Sequence, residues 1–430
     1  MTTLAPRAEQ KRTRTIVGTG VGNALEWFDW NIYAIFATFF AAQFFSGENE
    51  VSALLATLAV FAVGFVARPF GGFLFGWISD RRGRRAAMTL SVGLAAGGSF
   101  AIGLSPTYES IGLGASLVLL LARLVQGLAH GGELPSAQTY LSEVAPRERR
   151  GLWASLIYVS GTTGVIVGTG LAAVLTAVLD DAQMTAWGWR IPFVLGGFFG
   201  LYALVMRRRL DETEAFEQEV GAGPTTRREP MWRTIVRHRK QALLVIGMTV
   251  GITIIYYAWA ISAPQYAIST RGIDPTSALW AGVLANLVFI AALPVWGRVS
   301  DRIGRKPVLL VCVLGLALTA YPLDALIGDS AVRLGIAMSL ALVLIAGPAA
   351  IVPAVYAELF PTRIRTVGVG VPYSIAVATF GGTAPYLQTW LGESFGPSWF
   401  TGYVVVMLLI SAVAIASAPE TRARDLTGMR

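Results

Sequence analysis

Twelve long apolar stretches recur between Thr15 and Ala418, and no other feature constrains the folding of this chain as tightly. Each is about the ~20 residues that a helix needs to cross roughly 30 Å of hydrocarbon. Lipid offers no hydrogen-bond partners, so apolar stretches of this length must satisfy their backbone groups internally, as helices. The spans read 15–44, 52–78, 86–105, 112–141, 151–179, 190–206, 241–268, 276–297, 307–327, 333–357, 365–391 and 398–418. Composition agrees, since 54% hydrophobic against 14% charged residues lies outside the range of soluble domains. The 47 glycines and 20 prolines would be hostile to soluble helices. In a membrane, small residues let helices approach, and neighbours satisfy the backbone groups that proline frees.

A net charge of +8 raises nucleic acid as a partner, and the placement of the charge argues against it. With the N-terminus in the cytoplasm, only Arg190, Arg271 and Arg333 fall on the outer side, while Arg68 and Arg123 lie within spans. Every other one of the 34 basic residues is cytoplasmic, as the positive-inside rule requires. The expected location is a bacterial-type inner membrane with both termini cytoplasmic. Cys312 is the single cysteine, so no disulfide forms within the chain, and neither a metal site nor a cofactor is expected. The first apolar run is too long for a signal-peptide core and carries Glu26 and Asp29, so it is expected to be retained.

The longest charged interruption divides six spans from six, giving a first bundle (1–206), a cytoplasmic linker (207–240) and a second bundle (241–430). Gly76-Trp-Ile-Ser-Asp80-Arg81-Arg-Gly83-Arg84-Arg85 returns as Gly297-Arg-Val-Ser-Asp301-Arg302-Ile-Gly304-Arg305-Lys306. Glu143, Pro146 and Arg150 recur as Glu358, Pro361 and Arg365 with the same internal spacing. Repeats of equal span number and orientation imply parallel halves about an axis along the membrane normal, with a cavity between them that opens to alternate sides. The expected fold is therefore an all-α membrane protein of twelve transmembrane helices in two pseudo-symmetric six-helix bundles.

Ionisable groups inside a span are costly unless paired or hydrated, so each is a functional candidate. Glu26 and Asp29 share one face of span 1, with Glu26 ~15 Å from the inner end at 1.5 Å per residue. Arg68 lies at about the same depth, roughly 16 Å from Ser79. Its planar fork matches a carboxylate, so an incoming acid could compete with Glu26 for it. Protonating Glu26 would then release Arg68 for the substrate. A permanent Glu26 and Arg68 pair, or an Arg68 latched to Asp80, is the alternative. On span 4, Arg123, Gln126, His130 and Glu133 fall within ~80° of one another at ~100° per residue. Glu133 and His130 are rival proton sites or structural groups, and Arg123 either poises a carboxylate or binds substrate. The second half carries no midspan charge. It offers Tyr256, Tyr257, Trp259 and Tyr266 on span 7, Asn286 on span 8, Tyr356 on span 10 and Tyr373 on span 11. Of these, Tyr256, Asn286 and Tyr373 are the candidates for the solute's other side.

The twice-occurring Gly-x-x-x-Asp-Arg-x-Gly-Arg-Arg/Lys loop resembles the signature of the major facilitator superfamily, as does Arg123-Leu-Val-Gln126-Gly127. Within it the chain resembles the metabolite:proton symporters, through Gly22-Asn23-Ala24-Leu25-Glu26-Trp27-Phe28-Asp29, Ala67-Arg68-Pro69, Gly131-Gly132-Glu133 and Phe380-Gly381-Gly382-Thr383-Ala384-Pro385. His130 and Ser374 depart from that pattern, where a small residue and an asparagine are expected. The resemblance implies a monomer that takes up a small organic acid or zwitterion, such as 2-oxoglutarate, citrate, shikimate or betaine, with a proton. Asp80 with Arg84 and Asp301 with Arg305 read as gates on the inner face, or as static turns that only set topology. Glu143 and Glu358 read as gate partners or as helix ends before proline-led turns. The function expected is proton-coupled import of an organic acid by alternating access. A betaine or proline symporter and an uncoupled facilitator remain alternatives. A membrane enzyme lacks any supporting nucleophile, metal or phosphate motif.

Overall fold

The computed structural model describes the backbone of residues 5–46, 50–82, 84–131, 141–142, 145–208, 237–361 and 364–424. Residues 209–236 of the expected linker, Glu133 and Glu143 lie outside the described residues, as do the side chains of Asp80 and Arg84. The first half consists of α1 (Ala5–Phe44), α2 (Glu50–Arg82), α3 (Arg84–Gly103), α4 (Leu113–His130), α5 (Arg150–Val178) and α6 (Arg190–Arg208). The second consists of α7 (Arg239–Arg271), α8 (Pro275–Ile303), α9 (Arg305–Ile327), α10 (Ala331–Leu359), α11 (Arg365–Phe395) and α12 (Pro397–Ser417). Among the described residues, 11 helices are long and apolar enough to cross a membrane. The twelfth is α1, a 40-residue helix whose apolar run is diluted by Asn23, Glu26, Asp29 and Asn31. It starts ten residues before the expected span, because Ala5 to Arg14 is rich in good helix formers and continues the helix beyond the apolar segment.

Within the first half α1 packs on α5, α2 on α4 and α3 on α6; within the second, α8 packs on α10, α7 on α12 and α9 on both α10 and α12. The halves meet most extensively where α5 runs along α8. Thr276 donates to Thr176 at 3.0 Å at one end of this seam. At its other end Gly151 and Gly297 bring the two backbones together. That end is the basic face, where Arg147, Arg150, Arg298, Arg302 and Arg305 lie in or beside the loops.

Glycine sets the closest helix crossing in the first half. A Cβ on Gly127 of α4 would fall 2.0 Å from the Gly64 carbonyl oxygen of α2, and one on Gly131 would fall 2.0 Å from that of Arg68. Both obstacles are backbone, so no rotamer change relieves them. This contact holds Arg68 beside the polar face of α4. Gly127→Ala is expected to push α2 from α4 and lower solute uptake about tenfold, the cost of a roughly 1–3 kcal/mol overpacking strain. Uptake by purified, reconstituted protein, alongside its melting temperature, checks this.

Two helices are interrupted within their spans. In α7 a π-helical segment, Tyr257–Ser262, precedes Ala263-Pro264, and in α11 a similar segment, Val377–Gly381, precedes Thr383-Ala384-Pro385. Proline has no N–H to return to the carbonyl four residues earlier, so the Ala260 oxygen loses its helical partner at Pro264. The Asn286 amide of α8 supplies one, donating to Ala260 at 3.1 Å and to Gly282 at 3.0 Å. Segments of this kind often mark functional sites, and both flank the space between the halves.

Candidate functional site

That space is a cavity lined from both halves. From α1 come Glu26, Trp27, Trp30 and Asn31, which the 3.6-residue repeat places on one face. Thr249, Ile252, Thr253, Tyr256 and Tyr257 form the matching stripe of α7. Arg68, Tyr158, Tyr356 and Tyr373 complete the polar and aromatic wall. Arg68 rests its guanidinium on Trp30, 3.9 Å from the ring centroid, and on Phe65 at 4.5 Å. Trp27, Tyr158 and Tyr256 meet pairwise edge-to-face, with centroids 5.4 to 5.8 Å apart. Contacts between the halves lie on both sides of the cavity. Away from the basic face, Gln265 of α7 donates to the Ile35 carbonyl of α1, and Phe65 packs on Tyr257 at 5.4 Å.

Behind Glu26 lies a buried polar chain. His130 points Nδ1 at Glu26 Oε1, 3.4 Å away, and Nε2 at Asp29 Oδ2, 3.6 Å away. Asp29 also accepts from Ser99 and, at 3.1 Å, from the Gln126 amide. Gln126 in turn accepts from Arg123 at 2.9 Å. The Arg123 side chain is fully buried, with its guanidinium 4.0 Å from the Trp30 centroid and 4.4 Å from that of Tyr33. A desolvated cation over aromatic faces gains about 2 kcal/mol or more from each favourable contact, which offsets part of its burial cost. Glu26, Asp29, His130 and Arg123, expected from spans 1 and 4, thus form one cluster, with Arg68 beside it on the shared Trp30 ring. Tyr256 and Tyr373 face the cavity. Asn286 does not: it stands outside the lining and serves the break in α7.

The basic face is closed along the seam by charge. Asp301 of α8 accepts from the backbone N–H groups of Gly151 and Leu152 at 2.8 and 3.0 Å, capping the first turn of α5 across the halves. Such first-turn donors have no partner within their own helix. Arg305 binds Asp301 at 2.7 Å and approaches Glu358 at 3.5 Å. Glu358, fully buried, takes Arg150 from the opposite half at 2.8 Å. The repeat is visible at atomic detail: Nε of Arg150 donates to the carbonyl of Ser142, and Nε of Arg365 to that of Ala357, eight residues back in each case.

Sequence reasoning misses three members of this lock. Arg150 stands in the repeated Glu-Pro-Arg spacing, which by itself reads as repetition alone. Glu420 accepts from the backbone of Arg305 and Lys306 at 3.0 Å each, and Thr421 donates to Glu358 at 2.6 Å. Both lie in a polar tail that carries neither a repeat nor an intramembrane charge. Trp30, which gathers Arg68, Arg123 and the His130 ring, could have been found from its four-residue spacing from Glu26. Burial pushes the Glu420 carboxyl up, but hydrogen bonds from the backbone of Arg305, Arg422, Lys306 and Thr421 outweigh it and hold it below its ordinary 4.5. A depressed carboxyl stabilises the fold above its unfolded value and ceases to do so as pH falls through the folded one. Glu420→Gln is therefore expected to melt below wild type near neutral pH, with a difference that starts to shrink as pH falls below 4.5 and is gone once pH lies below the folded value.

Residues 19–271 match the family model described as Major Facilitator Superfamily, and residues 217–430 the one described as Sugar (and other) transporter. The chain belongs to the major facilitator superfamily. It is 37% identical over 406 residues to the alpha-ketoglutarate permease of Escherichia coli strain K12, covering 94% of this chain and 92% of the permease. It is 30% identical over 431 residues to the proline/betaine transporter of the same strain, covering 97% and 85%. These relatives fit the metabolite:proton symporter branch of the superfamily. The fold matches that of the xylose transporter XylE from E. coli in a partially occluded inward open conformation, with a TM-score of 0.70, 18% identity and coverage of 94% and 97%. A D-xylose-proton symporter structure aligns with a TM-score of 0.69 at 20% identity, covering 96% and 99%. A major facilitator protein of this kind is a multi-pass inner-membrane transporter of a small molecule, not an enzyme.

Proposed function

We propose that this transporter is a proton-coupled symporter that imports a small organic acid by alternating access. The observation that carries the reading is the juxtaposition in one inter-half cavity of the Arg68 guanidinium and the Glu26 carboxylate, the latter in contact with His130. A guanidinium fork binds a carboxylate bidentately, and tyrosine hydroxyls from Tyr256 and Tyr373 supply donors from the second half. Protonation of Glu26 removes the negative charge that competes with substrate for Arg68, so proton and acid bind together. Asp29, His130 and Arg123 set where that proton rests. The positive-inside rule assigns the basic face, both termini and the linker to the cytoplasm. The lock of Asp301, Arg305, Glu358 and Arg150 is then the inner gate, with Asp80, Arg84 and Glu143 its proposed counterparts in the first half. The unit of transport is a monomer.

A zwitterion such as betaine is the second reading. It is favoured by the edge-to-face rings of Trp27, Tyr158 and Tyr256 near Glu26, since aromatic faces attract quaternary ammonium. Uptake of labelled 2-oxoglutarate, citrate, shikimate, benzoate, betaine and proline into proteoliposomes, with an inward proton gradient and then a protonophore, separates the readings. Accumulation of an acid that collapses with the gradient supports the first. Accumulation of betaine or proline selects the second, and transport indifferent to the gradient removes the coupling.

A further inference from the structure

The cluster behind Glu26 opens onto a second cavity that lies inside the first half between α1, α3, α4 and α6. Among the described residues Glu26 is the one that lines both cavities, while Asp29 and His130 line the second alone. From their level the chamber runs along Gly22 of α1, Ser91 and Ala95 of α3, and Ala203 of α6. Gly22 precedes Asp29 by seven residues and Ala203 follows Gly196 by seven, so the chamber descends ~10 Å toward the basic face at 1.5 Å per residue. Gly22, Ala95, Gly200 and Ala203 keep space open there among the larger Leu25, Ser91 and Val92.

We propose that this chamber is a proton exit separate from the solute's path, entered through His130. The proposal rests on the proton-coupled reading above. The imidazole stands between the two carboxylates with a different nitrogen toward each, the arrangement of a proton shuttle. A protonated Glu26 passes its proton to Nδ1, and the resulting imidazolium gives the proton on Nε2 to Asp29. Asp29 releases it to water in the chamber. The ring is left with its proton on Nδ1, and regains its starting tautomer by losing that proton and taking one on Nε2 through chamber water. No charge accumulates, because each transfer moves one proton between groups that are restored at the end. The charged groups around the ring are Glu26 and Asp29 of α1, Arg68 of α2 and Arg123 of its own helix, with neutral Ser99 and Gln126 holding Asp29 in place. His130 stands where the resembled pattern has a small residue, so the relay is argued from this chain's own residues and not from the resemblance.

The test uses the full-length protein in proteoliposomes, with 2-oxoglutarate or betaine, whichever the uptake panel identifies. Ala203→Phe and Ala95→Leu fill the chamber from two helices without touching the relay. Each is expected to slow net, proton-accompanied uptake about tenfold while leaving solute-for-solute exchange, which requires no net proton release, near wild type. A second measurement does not depend on bulky side chains: Ala203→Cys is expected to react with a membrane-impermeant thiol reagent applied to the basic face, at a rate unchanged by saturating solute. Net uptake unaffected by both filling variants, or an introduced thiol in Ala203→Cys that stays closed to the reagent, would overturn the proposal. If wild-type uptake moves no proton, the coupled reading itself fails, an outcome distinct from either of these.

Discussion

Arg68→Ala is expected to lower uptake by about 100-fold or more, the largest effect of any substitution in the cavity. In the proposed complex Arg68 pairs with the substrate carboxylate; truncating one partner of such a pair costs roughly 2–5 kcal/mol, and each 1.4 kcal/mol is about a factor of ten. Arg68→Lys retains the charge but not the planar fork or the stacking on Trp30 and Phe65, so it should restore only a minor part of the activity. The loss should fall on affinity: solute added to the purified variant is expected to give no thermal stabilisation, whereas wild type is stabilised in proportion to occupancy. Wild-type affinity in Arg68→Ala would remove this residue from the substrate's binding site.

Glu358→Ala should produce the second large effect, on conformation rather than on binding. It removes the carboxylate that Arg150 meets at 2.8 Å and Arg305 at 3.5 Å, and leaves two nearly inaccessible guanidinia without it. Removing one partner of a buried ion pair costs about 3–5 kcal/mol. Arg150 comes from one half and Glu358 from the other, so much of this cost falls on the arrangement closed at the basic face. A shift of about 5.5 kcal/mol is enough to invert a 99:1 population. The variant is expected to melt lower and to expose the basic-face end of the cavity to thiol reagents, read with a cysteine placed at Ala349. Glu358→Gln, which keeps hydrogen-bonding capacity, should lie between it and wild type. Unchanged labelling in Glu358→Ala would show that the lock carries no conformational weight.

The parts of this architecture that were legible in the sequence are those in which lipid imposes a rule. Span length follows from hydrocarbon thickness, and the intramembrane Glu26, Asp29, Arg68, Arg123 and His130 stood out because an apolar solvent makes such groups expensive. Helical periodicity then placed Arg123, Gln126 and His130 on one face, and the structure brings that face against Asp29 and Glu26. Asn286 illustrates the limit. A buried polar side chain looks the same in sequence whether it greets a solute or repairs a backbone, and the oxygen freed at Pro264 is visible only once α7 and α8 are seen together. The tail residues Glu420 and Thr421 were illegible for the opposite reason: polar residues beyond the last span carry no cost that demands explanation. Trp30 is one of many aromatics in the sequence; its four-residue spacing from Glu26 marks it, and the three groups packed around its ring show what it gathers.

The central claim, that solute and proton cross together, is tested most directly by the proton movement that solute alone provokes. Proteoliposomes containing a pH-sensitive dye, with no imposed gradient and the membrane potential clamped, would receive the solute identified by uptake. The account predicts acidification of the lumen that tracks solute entry and is lost in Glu26→Gln. Solute entry of equal extent with a silent dye in wild type would contradict it.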